Sequence, residues 1–226
     1  MKNKILTFGF DDCEIYDRRL CELFRKYNIK ATFFLISDQL GFTCPHYRYG
    51  EDTIVERVSA GELKDTYKDM EIASHTCAHA FSENEVERDV LKSMENLSNA
   101  CGYRVEGFAY PGGVYNQNHI KALKKENVLY ARTVKCTHSF ELPSDFLEWH
   151  PTCSYDDEDM DTLIEKFLSY EGETPALFYI FGHSYELTRS DKKVNFEGFE
   201  KMLQKLGNRN DIWYATNTEI AKKYKK

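Results

Sequence analysis

The chain lacks a Cys-x-x-Cys pair, a glycine-rich phosphate loop, a basic stripe and any long apolar run, and its five prolines are scattered singly. Each absence excludes something. Without paired cysteines there is no zinc ribbon. The seven cysteines are odd in number and irregularly spaced, which favours free thiols over a disulfide framework. No apolar run approaches the ~20 residues of a membrane span. The start, Met1 to Thr7, reaches Asp11 too soon for a signal-peptide apolar region. The expectation is therefore a cytoplasmic protein with no membrane partner. A net charge of −7 argues against nucleic acid, because phosphate binding needs a basic patch. The lysine runs at Lys124–Lys125 and near Lys222 read as solvated helix faces. No glycine-rich loop follows the first apolar run, which disfavours a nucleotide-binding fold. No repeat and no Pro/Ser-rich linker divides the chain, so residues 1–226 read as one domain.

What is present is enough apolar and aromatic side chain, 42% and 14%, for a packed core. Short apolar runs alternate with helix-like patterns. Strands are expected at Lys4–Phe8, Ala31–Ile36, Glu71–Ala73, Gly107–Tyr110, Val128–Val134, Phe146–Trp149 and Ala176–Phe181, with a further apolar run at Ile212–Ala215. Helices are expected at Tyr16–Tyr27, Asn84–Ala100, Asn118–Lys125, Asp159–Leu168, Phe196–Leu206 and from Thr218. Uniformly apolar strands alternating with helices imply an α/β fold with a parallel sheet covered by helices. About seven such strands can close into a distorted (β/α) barrel, with the reactive groups at the strands' C-terminal ends.

Polar residues gather at those ends. Asp11-Asp12 follows the first strand; on its own Asp12 reads as a helix N-cap, although adjacent carboxylates point apart, so one can bind metal while the other stays free as a base. His75 and His79 have the spacing that puts two imidazoles on one side of a helical turn, as zinc ligands often are. A carboxylate added to that pair makes a set that leaves metal positions open for water and substrate. Cys77, between them, points away. His183 ends an apolar run after a glycine, where a general acid is plausible. His46, His119 and His138 carry no such pattern.

The ordered set Thr7-Phe8-Gly9-Phe10-Asp11-Asp12, Ala31-Thr32-Phe33-Phe34-Leu35, His75-Thr76-Cys77-Ala78-His79, Phe108-Ala109-Tyr110-Pro111-Gly112-Gly113 and Phe181-Gly182-His183-Ser184 resembles the polysaccharide deacetylase family, the NodB-homology or carbohydrate esterase family 4 group. The resemblance runs from Ile5 to about Thr218. It implies a divalent metal, most often Zn2+, held by Asp12, His75 and His79, with Asp11 as catalytic base and His183 as catalytic acid. A backbone N–H at Gly112 would hold the oxyanion, in the motif that also carries Tyr110, and Trp149 and His150 resemble a variant of the family's fourth motif at the substrate. The implied substrate is an acetylated carbohydrate or small acylated amide. An O-acetyl ester hydrolase and a non-catalytic carbohydrate-binding relative are the alternatives. Three positions depart from the family: Cys13 stands where a glycine is usual, Ala109 where an arginine orients the base, and Gly112 where an aromatic follows the proline. Arg132 lies near the end of an apolar strand, where a guanidinium is costly unless paired. It is expected to replace the missing arginine by a bidentate contact with Asp11.

Overall fold

A computed structural model describes residues 3–48, 50–80, 87–189, 192 and 194–225. Its main sheet has eight strands: β1 (Lys4–Asp11), β2 (Thr32–Leu35), β5 (Glu71–Ser74), β6 (Gly107–Ala109), β7 (Tyr130–Arg132), β8 (Cys153–Ser154), β9 (Ala176–His183) and β10 (Ile212–Tyr214). Every pairing within it is parallel, in the order β7-β6-β5-β2-β1-β9-β8, with β10 on the first residues of β1. The sheet curls. Trp149 bonds to the backbone of Ala131 and Thr133 beside β7, while Thr152 and Tyr155 donate to Tyr179 and Phe181 of β9. Residues 149–155 thus join the sheet's two edges, and the α/β barrel expected from the apolar runs is present. Helices α1 (Asp17–Lys26), α3 (Lys92–Cys101), α4 (Gln117–Lys125), α5 (Met160–Leu168), α6 (Phe196–Leu206) and α7 (Asn217–Tyr224) accompany it, with a single turn α2 at Leu63–Thr66.

Two expectations are corrected, and one pair of strands is new. No strand forms at Phe146–Trp149: Asp145 accepts from the Leu147 N–H and caps a 3-10 turn over Phe146–Glu148, leaving only Trp149 to bridge to Arg132. The helix expected from Asn84 begins, within the described residues, as a π turn at Glu87–Leu91 before α3; residues 84–86 lie outside them. An antiparallel pair was not foreseen at all: β3 (Thr43–Arg48) and β4 (Glu51–Glu56) form an arm beyond the end of β2.

The strands separate two apolar cores by their two-residue period. Leu6, Phe8 and Phe10 of β1 pack outward under α1 and α6 with Phe24 and Phe199. Ile5 packs inward with Phe34, Ala73, Ala109, Tyr130, Trp149, Leu177 and Tyr179. Gly107 has to be small in that interior, because a Cβ there would meet the Tyr130 ring at 2.0 Å.

The strands' starting ends are closed by polar groups. Glu71, nearly buried, accepts from Thr32 Oγ1 (2.9 Å), Tyr130 OH (2.7 Å), Thr218 N (2.9 Å) and Thr218 Oγ1 (2.5 Å), so β2, β5, β7 and α7 meet on one carboxylate. Asn217 accepts from Thr7 Oγ1 and donates to the Tyr179 hydroxyl. Truncating Glu71 strands four donors away from water. Glu71→Ala is therefore expected to cost about 2–4 kcal/mol, and Glu71→Gln, which keeps one acceptor, clearly less. Urea unfolding of both variants checks this; equal costs would mean that the carboxylate is not what holds the base together.

Candidate active site

The inward phase that fills the barrel also sets its open end. On β1 it runs Ile5, Thr7, Gly9, Asp11; on β9 it runs Leu177, Tyr179, Phe181, His183. Asp11 and His183 are register partners. His75 continues the phase of Glu71 and Ala73 just past β5, and Arg132 that of Tyr130 on β7. These ends surround a cavity of about 610 Å3 whose lining includes Asp11, Asp12, His75, His79, Gly112 and His183.

Two adjacent carboxylates cannot both face one cavity from a regular strand. Asp12 leaves the extended region, at φ 79°, and Cys13 follows at φ 52°. Cys13 stands where a glycine was expected, and its left-handed backbone is the conformation that favours glycine, at a cost on the order of 1–2 kcal/mol for other residues. Asp12 does not cap α1, whose N-cap is Tyr16.

Asp12 faces both imidazoles: its Oδ1 lies 3.9 Å from His75 Nε2 and 3.7 Å from His79 Nε2. That oxygen is buried and has no hydrogen-bond partner among the described residues. His75 donates from Nδ1 to the Ala109 carbonyl at 2.9 Å, which fixes its tautomer and leaves a bare Nε2 toward Asp12. The ligand atoms of Asp12, His75 and His79 lie within 4.8 Å of one another. An orphaned anionic oxygen and two imidazole lone pairs converging on one point fit a divalent cation. The helical turn expected between the histidines is absent. They converge instead through an irregular turn with Thr76 at φ 70° and His79 at φ 57°. Cys77 turns to the Arg88 carbonyl.

Burial raises the pKa of Asp12, but His183, His75, His79 and Arg57 together outweigh it, and the net shift is downward. Burial likewise moves His75 down, against the attraction of Asp11 and Asp12. Burial would lower His183 too, yet the hydrogen bond to Glu186 and the charges of Asp11 and Asp12 carry it up to about 9. His183 Nδ1 donates to Glu186 Oε2 at 3.3 Å, and its Nε2 lies 4.0 Å from Asp11 and from Asp12. Sequence reading missed Glu186. The available signal was its spacing: a 3-10 turn over Ser184–Thr188 brings residues three apart onto one edge.

Arg132 is wholly buried, and the strand pairing puts it opposite Ala109. Its Nη2 donates to both oxygens of Asp11, at 2.6 and 2.5 Å, and Nη1 donates to the Thr133 carbonyl. The contact is thus made by one nitrogen, not by the two-pronged fork expected. The guanidinium lies 5.1 Å from the Phe34 and Phe181 ring centres.

Other candidates do not reach the cavity. Tyr110 is buried, donates to the Leu147 carbonyl and stacks on Tyr115. Trp149 packs edge-on against Phe146, Tyr130 and Tyr179 in the interior. His150 bonds to Thr133 Oγ1 at 2.6 Å and is absent from the lining. Gly112 does line the cavity, at φ 59°.

A barrel with three imidazoles and two carboxylates at its open end has the groups of a metal centre, and comparison with known proteins narrows its class. The sequence profile described as polysaccharide deacetylase matches residues 1–131, and the chain belongs to that family. Over 144 residues it is 30% identical to a poly-β-1,6-N-acetyl-D-glucosamine N-deacetylase of Staphylococcus epidermidis, covering 56% of this chain and 47% of that protein. The chain thus spans about half the length of that curated relative. Its fold is similar to a family 4 acetyl xylan esterase from Clostridium thermocellum solved with a cobalt ion (TM-score 0.56, 14% identity, 96% of this chain and 89% of that one). It is similar also to a family 4 pseudoenzyme from Bacillus anthracis (TM-score 0.56, 17% identity, 98% and 66%). Among the described residues no helix is long and apolar enough to cross a membrane, and all seven cysteines are free.

Asp17, wholly buried at the start of α1, accepts from Ser184 Oγ (2.5 Å) and Tyr67 OH (2.7 Å), tying α1 to the residue after His183. Burial pushes its pKa up to about 7 although both hydrogen bonds pull it down. The folded state therefore keeps this proton after the unfolded chain, near pH 4, has lost it. Its contribution to stability is full below about pH 4, is lost as pH rises toward about 7, and is flat above. Asp17→Asn should remove that decline. Urea midpoints of the two proteins should lie closest at the acid end and separate as pH rises and the wild type alone declines; parallel curves would show that Asp17 does not titrate there.

Proposed function

We propose that the protein is a metal-dependent deacetylase that hydrolyses the acetamide of an N-acetylated sugar. The observation that carries this reading is the buried, unpartnered Asp12 Oδ1 facing the bare Nε2 of His75 and Nε2 of His79. Asp12, His75 and His79 would hold the cation, zinc by the chemistry of the donor set. When bound, such a cation polarises the acyl carbonyl and makes its water a nucleophile near neutral pH.

The chain's own groups do the rest. Asp11 lies beside Asp12 without being needed as a ligand, and in this reading it takes the proton from the attacking water. Arg132 holds its carboxylate in one orientation. The Gly112 N–H, at the cavity wall, is assigned to the oxyanion. His183, with Nδ1 committed to Glu186 and Nε2 toward the carboxylates, gives a proton to the leaving amine. The name of the staphylococcal relative suggests an N-acetylglucosamine polymer as substrate.

A second reading is a protein that binds carbohydrate without turnover, favoured by Ala109 in place of the family's arginine and by the fold's likeness to a pseudoenzyme. The pairing of Asp11 with Arg132 from the adjacent strand weighs against it. An ester hydrolase of the same fold is separated by matched N-acetyl and O-acetyl substrates.

The deciding experiment measures metal content and acetate release together. Asp12→Ala is expected to lose both. Asp11→Asn should keep the metal and lose about 10²–10⁴-fold in turnover, the usual contribution of a general base. Equal metal loss in both would mean that the pair is divided wrongly, and a metal-loaded wild type releasing no acetate would favour the binding protein. Arg132→Met should also retain metal but lower turnover. The variant should be less stable, since it leaves Asp11 buried without its partner. Unchanged turnover would remove Arg132 from the machinery.

A further inference from the structure

Two turns with left-handed residues bring the ligand cluster together: one at Asp12 and Cys13, the other running from Thr76 to His79. Backbone of this kind persists only when contacts around it hold it in place. The chain leaving the β3–β4 arm supplies such contacts to both turns. Cys44, His46 and Arg48 of the arm line the cavity, with Pro45, Tyr47 and Ile54 on the opposite face.

Arg57 follows β4 directly. Its backbone N–H donates to the Phe42 carbonyl, on the chain leaving the 3-10 turn Ser37–Gln39. The next N–H, that of Val58, donates to the Cys13 carbonyl. The Arg57 side chain, only 10% exposed, repeats both links. Nη1 donates to the Asp12 carbonyl and Nε to Gln39 Oε1, both at 2.9 Å. The turn that carries Gln39 is itself bonded to the histidine turn. Ser37 N donates to the Thr76 carbonyl at 3.2 Å, and Asp38 N donates to that of Cys77 at 3.0 Å. One guanidinium thus connects the peptide of the carboxylate ligand to the turn that braces the imidazole ligands. It grips the Asp12 carbonyl and leaves the carboxylate oxygen Oδ1 without a hydrogen-bond partner among the described residues. The direction of the side chain is fixed without competition for the atom that faces the histidines.

We propose that Arg57 is the positioning residue of the ligand cluster. It braces the Asp12 turn against the His75–His79 turn and so sets the affinity for the divalent cation. This rests on the metal reading of Asp12, His75 and His79 and deepens it. The sign of the effect separates bracing from charge. A guanidinium repels a nearby dication, so on charge alone its removal tightens binding. Bracing demands the reverse, because donors that have to be gathered at each binding event bind more weakly.

The test is zinc affinity, measured on the full chain by competition with a chromophoric chelator. The visible spectrum of the cobalt-loaded protein is recorded beside it. Arg57→Met keeps the stem and removes the donors. It is expected to weaken zinc binding about 10–100-fold, the usual cost of losing a partner that orients a ligand, and to alter the cobalt spectrum. Arg57→Lys keeps the charge but not the fixed fork, and should fall between Arg57→Met and wild type. Gln39→Leu breaks one link only and should lose less. The double variant should be no worse than Arg57→Met, since both changes remove the same brace. Arg48→Met is the control, because that guanidinium lies in the arm but is held by Glu14. Unchanged or tighter zinc binding by Arg57→Met would overturn the proposal, as would an equal weakening by Arg48→Met. Should Arg57→Met fail to fold, Gln39→Leu decides, and unchanged affinity there overturns it. A wild type that binds no zinc fails the metal reading and this proposal with it. Zinc lost in Asp12→Ala but untouched in Arg57→Met fails this proposal alone.

Discussion

A parallel strand shows a barrel's interior only every second residue, and that constraint decides where this protein's polar groups meet. In the same phase, Ile5, Leu177 and Tyr179 fill the interior and Asp11 and His183 crown it. The site is the last layer of the core, with charged side chains in place of apolar ones. Such a layer is stable only if its charges are matched, since an unpaired buried charge costs several kcal/mol. Arg132 supplies the match for Asp11, and Glu186 does so for His183. Asp12 Oδ1 is the group left without one, which is why the cation reading falls there.

The alternation also explains the strain. Asp11 and Asp12 both reach the cavity only because the chain turns left-handed at Asp12 and stays so at Cys13. That backbone is held by β2 and by the residues around the end of β4. The Phe34 carbonyl receives the Asp12 N–H, Val58 donates to Cys13, Ile15 donates to Glu56, and Arg57 grips the Asp12 carbonyl. Three of these four contacts come from the end of β4 or the residues just after it. The arm is therefore tied to the loop carrying a proposed metal ligand at one end and forms the cavity wall along its length.

What the sequence made legible follows the same physics. Runs such as Ala31–Ile36 and Ala176–Phe181 are apolar on both faces because helices cover one side and the barrel fills the other. The strand-end carboxylates and histidines stood out because such groups are rare beside runs like these. The arm did not, since its inward face is polar, its outward face partly apolar, and Pro45 interrupts it. Phe146–Trp149 was apolar enough for a strand but lost to a local cap, Asp145 on the Leu147 N–H. Trp149 and Tyr110 were drawn toward the substrate by motif position, whereas their size suits the packed interior in which they lie. Glu186 left only its three-residue spacing from His183 as a signal, and Arg57 left none, because its importance depends on a fold-back that no periodicity announces.

The proposed transfer of the arginine's role from position 109 to Arg132 has a geometric basis. The two residues are register partners on adjacent strands and point into the same layer. Strand β6 keeps a task there that needs no side chain: its Ala109 carbonyl fixes the tautomer of His75. A large side chain at 109 would compete for the space that the Arg132 guanidinium occupies beside Phe34 and Phe181. Two guanidinium groups on a single Asp11 carboxylate would also leave one positive charge unmatched in an apolar ring. A small residue on β6 and a cation on β7 are thus two halves of one solution, and Ala109 by itself is no sign that the site has been given up.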